Sequence, residues 1–506
     1  TVSRRRGYIS FFDRVGRRHG ETIFYAGSRR GRIMPILAML VVVAVIVGIW
    51  WLLTRPDDRL TSQTVSEGVT VPSLLTPVET TTTLAGDALL ADATCPEPLT
   101  TEWNTFQGNA ARTGCVIAPT IETPRILWTA DVGVQGWLNN PVIGNGRVFV
   151  GSAGIAQFDS DVKDGVYAFE LATGRQAWFF EASLDVNGVS FANDVVVATG
   201  DEGKVWAIDA SITDLAGRAL WSDTHDKAVF GSPLILGNTV VVGDGDGLVI
   251  AYDIANGRRL WEEQVDGAIR GGPASDGQTI VVVGEQREVL ALDLEGNELW
   301  RKVVRGRDIT PTTKIFAAPT IADGVILLSL VRDDVYADPA IIALDLETGV
   351  DLWIGTDDAA LKPEWGNIRS SPASAGDLVI YGETYSQGIV ALGLQDGVTR
   401  WKVDSGSFCY PHWPSPAVVS NQVVLPRHDG GIYGIDLQTG TVVWSMFLGD
   451  SQARGVFPPE YSESGFCDWG PEGTYSVLSS PAVSQDGIVV IGTLEGSLMA
   501  IADQDW

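Results

Sequence analysis

Cysteine, histidine and positive charge are all scarce in this chain of 506 residues. Four cysteines in a chain of this length cannot form a disulfide scaffold. Four histidines supply few nitrogen ligands for a metal centre. Lysine and arginine number 35 against 63 aspartate and glutamate, which gives a net charge of −28. This balance argues against nucleic acid as a partner, because a polyphosphate is bound by cationic side chains.

Motifs that carry known chemistry are also missing. The sequence has no G-x-S-x-G, no H-E-x-x-H and no phosphate-binding loop, so nothing in it supports a hydrolase or a nucleoside triphosphatase. It has no C-x-x-C-H for covalent haem either. We therefore predict no catalytic residue and no metal site.

The charge that is present is unevenly distributed. Residues 1–33 hold nine arginines and two acidic residues, a charge of +7, so the rest of the chain carries −35. An uncharged run separates the two parts. Its core, residues 34–53, has twenty residues, enough for a helix to cross the roughly 30 Å hydrocarbon layer of a bilayer. Trp50 and Trp51 lie at its outer end, where indoles favour the membrane interface.

These features predict a transmembrane signal anchor with a cytoplasmic tail, because basic residues beside a span remain in the cytoplasm. Everything after Arg55 is then outside the cell membrane. A cleaved signal peptide is the main alternative, but the apolar run exceeds the 7–15 residues of such peptides and no clear cleavage site follows. A buried soluble helix is another alternative. Residues 54–100 contain Thr and Pro without periodicity and are predicted to be a flexible linker.

From residue 101 to 506 the sequence repeats. One phrase combines a small residue, an acidic residue, a Gly-containing turn and a tryptophan. Its copies are AFELATGRQAW (168–178), AIDASITDLAGRALW (207–221), AYDIANGRRLW (251–261), ALDLEGNELW (291–300), ALDLETGVDLW (343–353), ALGLQDGVTRW (391–401) and GIDLQTGTVVW (434–444). A second phrase alternates with it, in which small residues and Pro precede an apolar run, as in GSPLI (231–235) and SSPAV (479–483). Together they predict a four-stranded unit, A to D, which is typical of a propeller blade.

The repeats predict eight blades. The expected D strands carry eight tryptophans: Trp128, Trp178, Trp221, Trp261, Trp300, Trp353, Trp401 and Trp444. The last unit ends after its C strand, so we expect residues 125–132 to supply its missing D strand and close the ring. Seven blades would require one misread unit. We interpret the tryptophans as structural side chains that fill the gaps between blades.

The phrase A-x-D-x-x-T-G-x-x-x-W resembles the tryptophan-docking repeat of the pyrroloquinoline-quinone (PQQ)-like propellers, a family that includes the BamB-like envelope proteins. The segment WNTFQGNAARTG (103–114) resembles their lead-in. The resemblance implies the propeller fold over 125–506 but leaves function open. Quinoprotein dehydrogenases of this family bind PQQ with calcium under two adjacent cysteines. This chain has no adjacent cysteines, no evident calcium ligands and no lipidation motif at Cys95.

Strand parity places the D–A and B–C loops on one face of the ring. The long loops all fall there, and such loops commonly carry recognition, although tolerated insertions are an alternative. They are 152–164, 301–316, 330–339, 354–369, 402–413 and 445–478. Residues just before an A strand are expected to point towards the central mouth. The ligand or partner candidates are Trp137, Asn139, Arg270, Lys314, Arg369, His412 and Trp413.

Several of these residues have simpler interpretations. Arg270 and Arg369 suit a carboxylate ligand or an acidic partner segment, and salt bridges with neighbouring acids are the alternative. His412 and His428 lack an evident third ligand, so solvated or structural roles are favoured over metal binding. The run GDGDG (243–247) resembles part of a calcium loop, but a Gly/Asp turn is favoured.

The four cysteines predict two disulfides. Cys409 and Cys467 lie in long loops of consecutive units, and Cys95 and Cys115 form the second expected pair. A free catalytic or metal-binding thiol is the less favoured alternative.

We therefore expect a single-pass membrane protein with an extracytoplasmic propeller. Its predicted function is noncatalytic: a binding or scaffold module of the cell envelope, with a protein or polymer partner and no cofactor. The alternative is a PQQ-dependent dehydrogenase that oxidises an alcohol or sugar. A third hypothesis, ligand sensing across the membrane, is limited by a 33-residue tail that cannot hold a kinase.

Overall fold

The computed structural model describes most of the chain after residue 101. The described residues are 95, 102–136, 138–305, 309, 312–331, 341–355, 370–382, 388–404, 413–428, 430–448 and 477–506. The predicted tail, the predicted span and nearly all of the predicted linker lie outside them. The part of the chain that the structure describes contains no helix long and apolar enough to cross a membrane.

The described strands form eight blades. Two strands precede the first blade, β1 (Cys115–Val116) and β2 (Pro124–Asp131). Blade 1 consists of β3 (Val142–Gly144), β4 (Arg147–Ala153), β5 (Asp164–Glu170) and β6 (Gln176–Glu181), and blade 2 consists of β7 (Val186–Ala192), β8 (Val195–Gly200), β9 (Lys204–Asp209) and β10 (Ala219–Thr224). Blade 3 consists of β11 (Leu234–Leu236), β12 (Thr239–Gly243), β13 (Leu248–Asp253) and β14 (Arg259–Gln264), and blade 4 consists of β15 (Ala274–Ser275), β16 (Ile280–Val283), β17 (Glu288–Leu292) and β18 (Glu298–Val303).

The second half of the ring repeats this pattern. Blade 5 consists of β19 (Thr320–Ala322), β20 (Val325–Ser329), β21 (Ile341–Asp345) and β22 (Asp351–Gly355). Blade 6 consists of β23 (Ala373–Ala375), β24 (Leu378–Gly382), β25 (Gly388–Gly393) and β26 (Thr399–Asp404). Blade 7 consists of β27 (Ala417–Val419), β28 (Gln422–Pro426), β29 (Gly431–Asp436) and β30 (Val442–Phe447). Blade 8 consists of β31 (Ala482–Val483), β32 (Val489–Gly492), β33 (Ser497–Asp503) and β2. The eight-bladed propeller is therefore confirmed.

Each blade becomes more polar from its inner to its outer strand. In blade 3, β12 (TVVVG) and β13 (LVIAYD) are buried on both faces, because each blade is covered by a neighbour on either side. The outer strand β14 (RLWEEQ) alternates between exposed and half-buried residues. The short first strands of neighbouring blades contact one another around the centre of the ring. This burial explains why the inner strands are runs of β-branched residues.

The ring is closed by β2, as predicted. It pairs antiparallel with β33, and the partner of Trp128 is Ala500. Trp221 and Ala207 occupy the same register in blade 2. The predicted closing strand, 125–132, differs from the observed one by one residue at each end. The two ends of the propeller therefore join by the same ladder that other blades form between consecutive strands.

Six of the eight blade tryptophans make the same junction with the next blade. The indole Nε1 donates to a backbone carbonyl that follows the next C strand: Trp128 to Leu171 (2.7 Å), Trp221 to Ile254 (2.7 Å), Trp261 to Leu294 (3.3 Å), Trp300 to Leu346 (2.9 Å), Trp353 to Leu394 (2.8 Å) and Trp401 to Leu437 (2.9 Å). A glycine with positive φ lies against each indole: Gly174, Gly257, Gly296, Gly349, Gly397 and Gly440. A Cβ there would lie 2.5–2.8 Å from the ring, so the close contact requires glycine.

The two exceptions occur where the next turn is altered. Trp178 is fully buried, and its Nε1 has no partner among the described residues. The expected acceptor in the stretched turn of blade 2, the Ala210 carbonyl, instead accepts from Arg147 at 2.7 Å. Trp444 precedes the closure of the ring, where there is no continuous turn, and its Nε1 donates to Gln422 at 3.1 Å.

A disulfide joins Cys95 to Cys115, as predicted, with 5.4 Å between the Cα atoms. It ties the chain before the propeller to β1, which pairs in parallel with β27 of blade 7. The predicted Cys409–Cys467 pair lies outside the described residues.

The tryptophan junction predicts a difference between two glycine substitutions. Gly349 and Gly146 both have φ of +69°, but a Cβ on Gly349 would lie 2.8 Å from Trp300, whereas a Cβ on Gly146 meets nothing within 4 Å. Both alanine variants carry the backbone cost of about 1–2 kcal/mol. G349A adds overpacking, so its thermal unfolding midpoint should fall about twice as far as that of G146A or more. Equal losses would show that the indole contact adds nothing.

Candidate functional site

The centre of the ring is filled by the segment 102–116. Its backbone carbonyls accept hydrogen bonds from the first strands of six blades. The donor–acceptor pairs are Ile143 N to Trp103 O (2.7 Å), Phe191 N to Asn104 O (2.7 Å), Ser275 N to Ala110 O (2.8 Å), Ile321 N to Ala111 O (2.8 Å), Ser374 N to Thr113 O (2.8 Å) and Val418 N to Gly114 O (2.6 Å). The donors occupy one repeated position, two residues after the Pro of the second phrase or its equivalent. We call 102–116 the central segment.

Arg112 anchors the central segment to blades 3 and 4. Its side chain is fully buried and donates to carbonyls of those blades and of its own segment. The acceptors are Pro273 O (3.1 and 3.2 Å), Ser232 O (3.1 Å), Pro233 O (3.2 Å), Phe106 O (2.9 Å) and Thr105 Oγ1 (2.6 Å). Burial lowers the pKa of Arg112 to about 9, so it remains a cation at neutral pH. Neutral oxygens alone compensate this charge among the described residues.

Above the central segment, a belt of hydrogen bonds runs around part of the ring. Ser480 N donates to Asn140 Oδ1 at 2.7 Å, and Ser415 N donates to Ser480 Oγ at 2.9 Å. Ser371 continues the belt, with its N donating to Ser415 Oγ at 2.9 Å and its Oγ donating to Ala318 O at 2.8 Å. All five residues directly precede a Pro that begins a first strand. They connect blades 5, 6, 7, 8 and 1.

Between blades 3, 4 and 5 the backbones themselves approach. A Cβ on Gly231 would lie 2.2 Å from Gly272 N, and one on Gly271 would lie 1.9 Å from Ala318 N. The resulting depression has room of about 20 Å³ and is lined by Phe106, Leu138, Asn140, Ser232, Gly271, Ala317, Ala318, Ser371, Trp413, Ser415 and Ser480. We call it the central mouth. Its room corresponds to about one water molecule.

The described part of the central mouth does not fit PQQ. A tricyclic quinone is far larger than the available space, and Phe106 of the central segment forms part of the lining. The described lining also offers uncharged hydroxyl, amide and apolar groups rather than carboxylates for a calcium ion. Among the described residues, no cluster of three or more His, Cys, Asp or Glu side chains could hold a metal ion.

Two of the predicted binding residues, Arg270 and Lys314, share one acidic partner at the rim of the mouth. Arg270 Nε donates to Glu285 Oε2 at 3.0 Å, and Lys314 Nζ lies 3.4 Å from Glu285 Oε1. The Arg270 guanidinium lies over Phe230, 4.5 Å from its ring centroid, and 5.9 Å from that of Phe316. The salt bridge that was the alternative for Arg270 is therefore present, within a larger aromatic cluster.

The other predicted binding residues divide into three groups. Asn139 is buried, and its Nδ2 donates to Val186 O of blade 2 at 2.5 Å, so it links two blades. Trp413 lines the central mouth. Trp137, Arg369 and His412 lie outside the described residues. Phe230, Phe316 and Glu285 were not predicted, although both phenylalanines occupy the position of Arg270, three residues before a Pro.

The run GDGDG (243–247) forms a turn, which was the favoured interpretation. Asp244 Oδ1 accepts from the backbone of Asp246 (2.9 Å) and Leu248 (3.0 Å). Its Oδ2 lies 3.0 Å from Nδ1 of the buried His225, whose Nε2 lies 2.8 Å from the Tyr252 hydroxyl. The Asp244 carboxylate is thus occupied by its own turn and by a neighbouring strand.

On the same face as the mouth, the loop 152–164 is fixed by three carboxylates. Asp161 accepts from the backbone of Ile155 (2.6 Å) and Lys163 (2.8 Å). Asp164 Oδ2 accepts from Asp161 N, and Asp185 Oδ2 accepts from Phe158 N, both at 2.8 Å. The loop is therefore held in one conformation while it presents two apolar side chains to solvent, Ile155 (63% exposed) and Val162 (73% exposed).

Two of these carboxyl groups are protonated more readily than usual. Burial, together with the charge of Asp201, raises the pKa of Asp185 to about 9. Burial raises the pKa of Asp164 to about 6. In each carboxyl group, Oδ1 is buried without a hydrogen-bond partner among the described residues. No hydrogen bond therefore offsets the cost of burying a negative charge on that oxygen.

Loss of Arg112 is expected to destabilise the propeller severely. R112M would remove the hydrogen bonds that Arg112 donates to five buried oxygens, of which only Pro233 O and Thr105 Oγ1 keep Ser190 as a partner, at about 3 kcal/mol or more in total. Arg125 is a matched control, because it donates two bonds, to Gln504 O and Trp506 O, near the surface. R112M should lower the thermal unfolding midpoint by many degrees and R125M by few. Similar small losses would show that the buried guanidinium is dispensable.

Asp185 predicts a pH dependence of stability. Between about pH 4 and 9 the folded state retains a proton that the unfolded state releases, so this group's contribution is lost as pH rises. D185N removes the titration, and its unfolding midpoint should fall less between pH 5 and 8 than that of the wild type. D503N should leave this slope unchanged, since backbone hydrogen bonds lower the pKa of Asp503 and move its titration below this range. Parallel slopes for D185N and wild type would contradict the shift.

Comparison with known proteins supports the repeat family. The family model described as outer membrane protein assembly factor BamB matches residues 162–270 and 265–407. The BamB of Burkholderia pseudomallei (strain K96243), also an outer membrane protein assembly factor by name, is 24% identical over 203 residues. The matched region is 38% of this chain and 49% of that protein, so it spans about half the length of this curated relative.

Solved structures share the fold more widely. The crystal structure of BamB from Moraxella catarrhalis has a TM-score of 0.54 at 16% identity, covering 75% of this chain and all of that one. A europium-containing methanol dehydrogenase has a TM-score of 0.56 at 14% identity, covering 79% of this chain and 98% of the enzyme. At such low sequence identity, the structural similarity establishes only the fold, and a noncatalytic protein and an enzyme can share a fold. Together with the sequence matches, they support assignment of the chain to a PQQ-like propeller family, with BamB among its relatives.

Proposed function

We propose that this protein is a noncatalytic binding module of the cell envelope, and that the face carrying the central mouth binds a partner protein. The observation that carries the proposal is the combination of a closed centre with a prearranged rim. The central segment leaves room for about one water molecule. Around that closed centre, the fixed loop 152–164 and the side chains of Arg270 and Lys314 lie at the rim.

The described loop 152–164 supports this choice of face. Three aspartate side chains hold its backbone, so little loop entropy is lost when a partner binds. Ile155 and Val162 are exposed there, and apolar side chains displayed on a rigid loop can be buried by a partner. A net charge of −28 favours a partner with a complementary basic surface around the contact.

The membrane position is part of the proposal and rests on the sequence. A signal anchor at 34–53 behind a +7 tail would place the propeller outside the cell membrane, and 54–100 would tether it. BamB relatives are named as outer membrane protein assembly factors, which agrees with an envelope role. A protein is therefore the partner class that we propose.

The alternative is a PQQ-dependent dehydrogenase oxidising an alcohol or sugar, and it has a direct test. The full-length chain would be mixed with PQQ and Ca²⁺ and assayed for quinone absorbance and dye-linked oxidation. Saturable binding with turnover would replace the binding-module proposal. We expect neither.

Photo-crosslinking in intact cells tests the face. A benzoylphenylalanine would replace Ile155 or Val162 on the mouth face, or Val350 or Val398 on the opposite face, all of which are more than half exposed. We expect the mouth-face positions to yield a discrete protein adduct and the opposite-face positions to yield none. Identical adducts from both faces, or none from the mouth face, would contradict the proposal. The four sites are matched in side-chain class and exposure, so reactivity alone cannot create the difference.

A further inference from the structure

The rim of the mouth holds a cationic cluster whose side chains are fixed in advance. Arg270, Lys314 and Glu285 come from different loops, and backbone hydrogen bonds fix each loop. Glu285 N donates to Ala268 O (2.8 Å), and Ile315 N donates to Glu285 O (3.2 Å). Lys314 exchanges two backbone bonds with Val331, both 2.8 Å. The cluster therefore joins blades 4 and 5 at a defined separation.

Arg270 is oriented so that one end of its guanidinium remains available. Nε is engaged by Glu285 at 3.0 Å, and the flat face lies over Phe230. Its Nη nitrogens have no hydrogen-bond partner among the residues that the structure describes. The side chain is only 12% exposed, so its rotamer is already selected before any ligand arrives. An arginine held in this way loses little entropy when it forms two parallel hydrogen bonds.

The charge of the cluster favours an anion. Two cations, Arg270 and Lys314, share the carboxylate of Glu285, which leaves one positive charge without a counter-charge among the described residues. The aromatic rings of Phe230 and Phe316 exclude water from one side and strengthen the remaining attraction. A planar carboxylate matches the two terminal nitrogens of a guanidinium.

The shape of the mouth indicates how the anion arrives. The depression is lined by Gly271, the neighbour of Arg270, and has room of about 20 Å³, so the main chain of a ligand cannot enter it. A ligand that reaches Arg270 must therefore keep its main chain outside the ring. We propose that Arg270, held between Phe230 and Phe316, binds a carboxylate of an acidic segment of the partner protein. This inference rests on the proposed function and names the chemistry of its contact.

Peptide binding tests the inference. The full-length chain in mild detergent would be titrated with a fluorescein-labelled decapeptide of alternating Glu and Ser, followed by fluorescence anisotropy. We expect binding that R270Q weakens by at least about tenfold, because one charge-assisted bidentate contact is lost. R175Q is the matched control, since Arg175 is an exposed arginine in a turn on the opposite face. It should change the affinity less than about twofold.

Two further arms identify the ligand chemistry. A decapeptide of alternating Gln and Ser should not bind, and N-acetylglutamate should compete only at far higher concentration than the Glu peptide. Equal binding of the Glu and Gln peptides, or equal losses in R270Q and R175Q, would overturn the inference. Competition by N-acetylglutamate at equal concentration would assign the site to a free carboxylate and overturn the partner segment.

The inference and the proposed function can fail separately. If R270Q loses peptide binding but the crosslinked adduct at Ile155 is absent in wild type, the carboxylate site stands without the partner. If R270Q retains the adduct and binds the peptide like wild type, the partner stands without this contact. The thermal unfolding midpoints of R270Q and R175Q, measured by circular dichroism, must agree within a few degrees for either comparison.

Discussion

Pairing of the innermost backbone edges is the constraint on which this propeller depends. The first strand of each blade lies at the centre of the ring, and an unpaired buried N–H there is costly. The central segment meets this requirement by accepting hydrogen bonds from six first strands with six of its carbonyls. Arg112 makes hydrogen bonds in the opposite direction, because its side chain donates to backbone carbonyls of blades 3 and 4. One short segment thus completes the inner edge of most of the ring.

The same segment determines where binding can occur. It fills the centre of the ring, and the belt of hydrogen bonds and the close approach of the Gly231 and Gly271 backbones leave little space in the central mouth. For this reason we place the proposed binding further out, at rim side chains such as Arg270 and at the loop 152–164. A PQQ-like repeat and a small central space are compatible, because the tryptophans and turn glycines of the first phrase form the blade junctions, whereas the small residues of the second phrase line the mouth.

The sequence predicted those features that depend on residues repeated in every blade. The tryptophan phrase indicated eight units, and the incomplete last unit indicated closure by β2. Both follow from local chemistry, a turn glycine beside an indole and a missing D strand. The altered behaviour of Trp178 also has a sequence signal, the stretched turn after it, although its consequence, an indole nitrogen without a partner, required coordinates.

The contacts that define the site were harder to predict, because the residues that make them differ in identity from blade to blade. The lead-in was noted at 103–114, but its course across six blades has no periodicity. Position relative to the Pro would have helped: Arg270, Phe230 and Phe316 all lie three residues before it and meet at the rim. Asn139 lies two residues before its Pro and is directed into the neighbouring blade instead.

The protein as a whole is acidic, whereas the rim of the central mouth carries a cationic cluster, and the two act on a ligand at different distances. The excess of 63 acidic over 35 basic residues repels acidic molecules at long range, within about a Debye length of the surface. The Arg270 cluster attracts a carboxylate only at contact, where aromatic rings lower the local dielectric. A ligand must therefore combine one correctly placed acid with a surface that tolerates the surrounding negative charge. This combination selects a shaped protein segment over a free anion, because only the segment can satisfy both conditions at once.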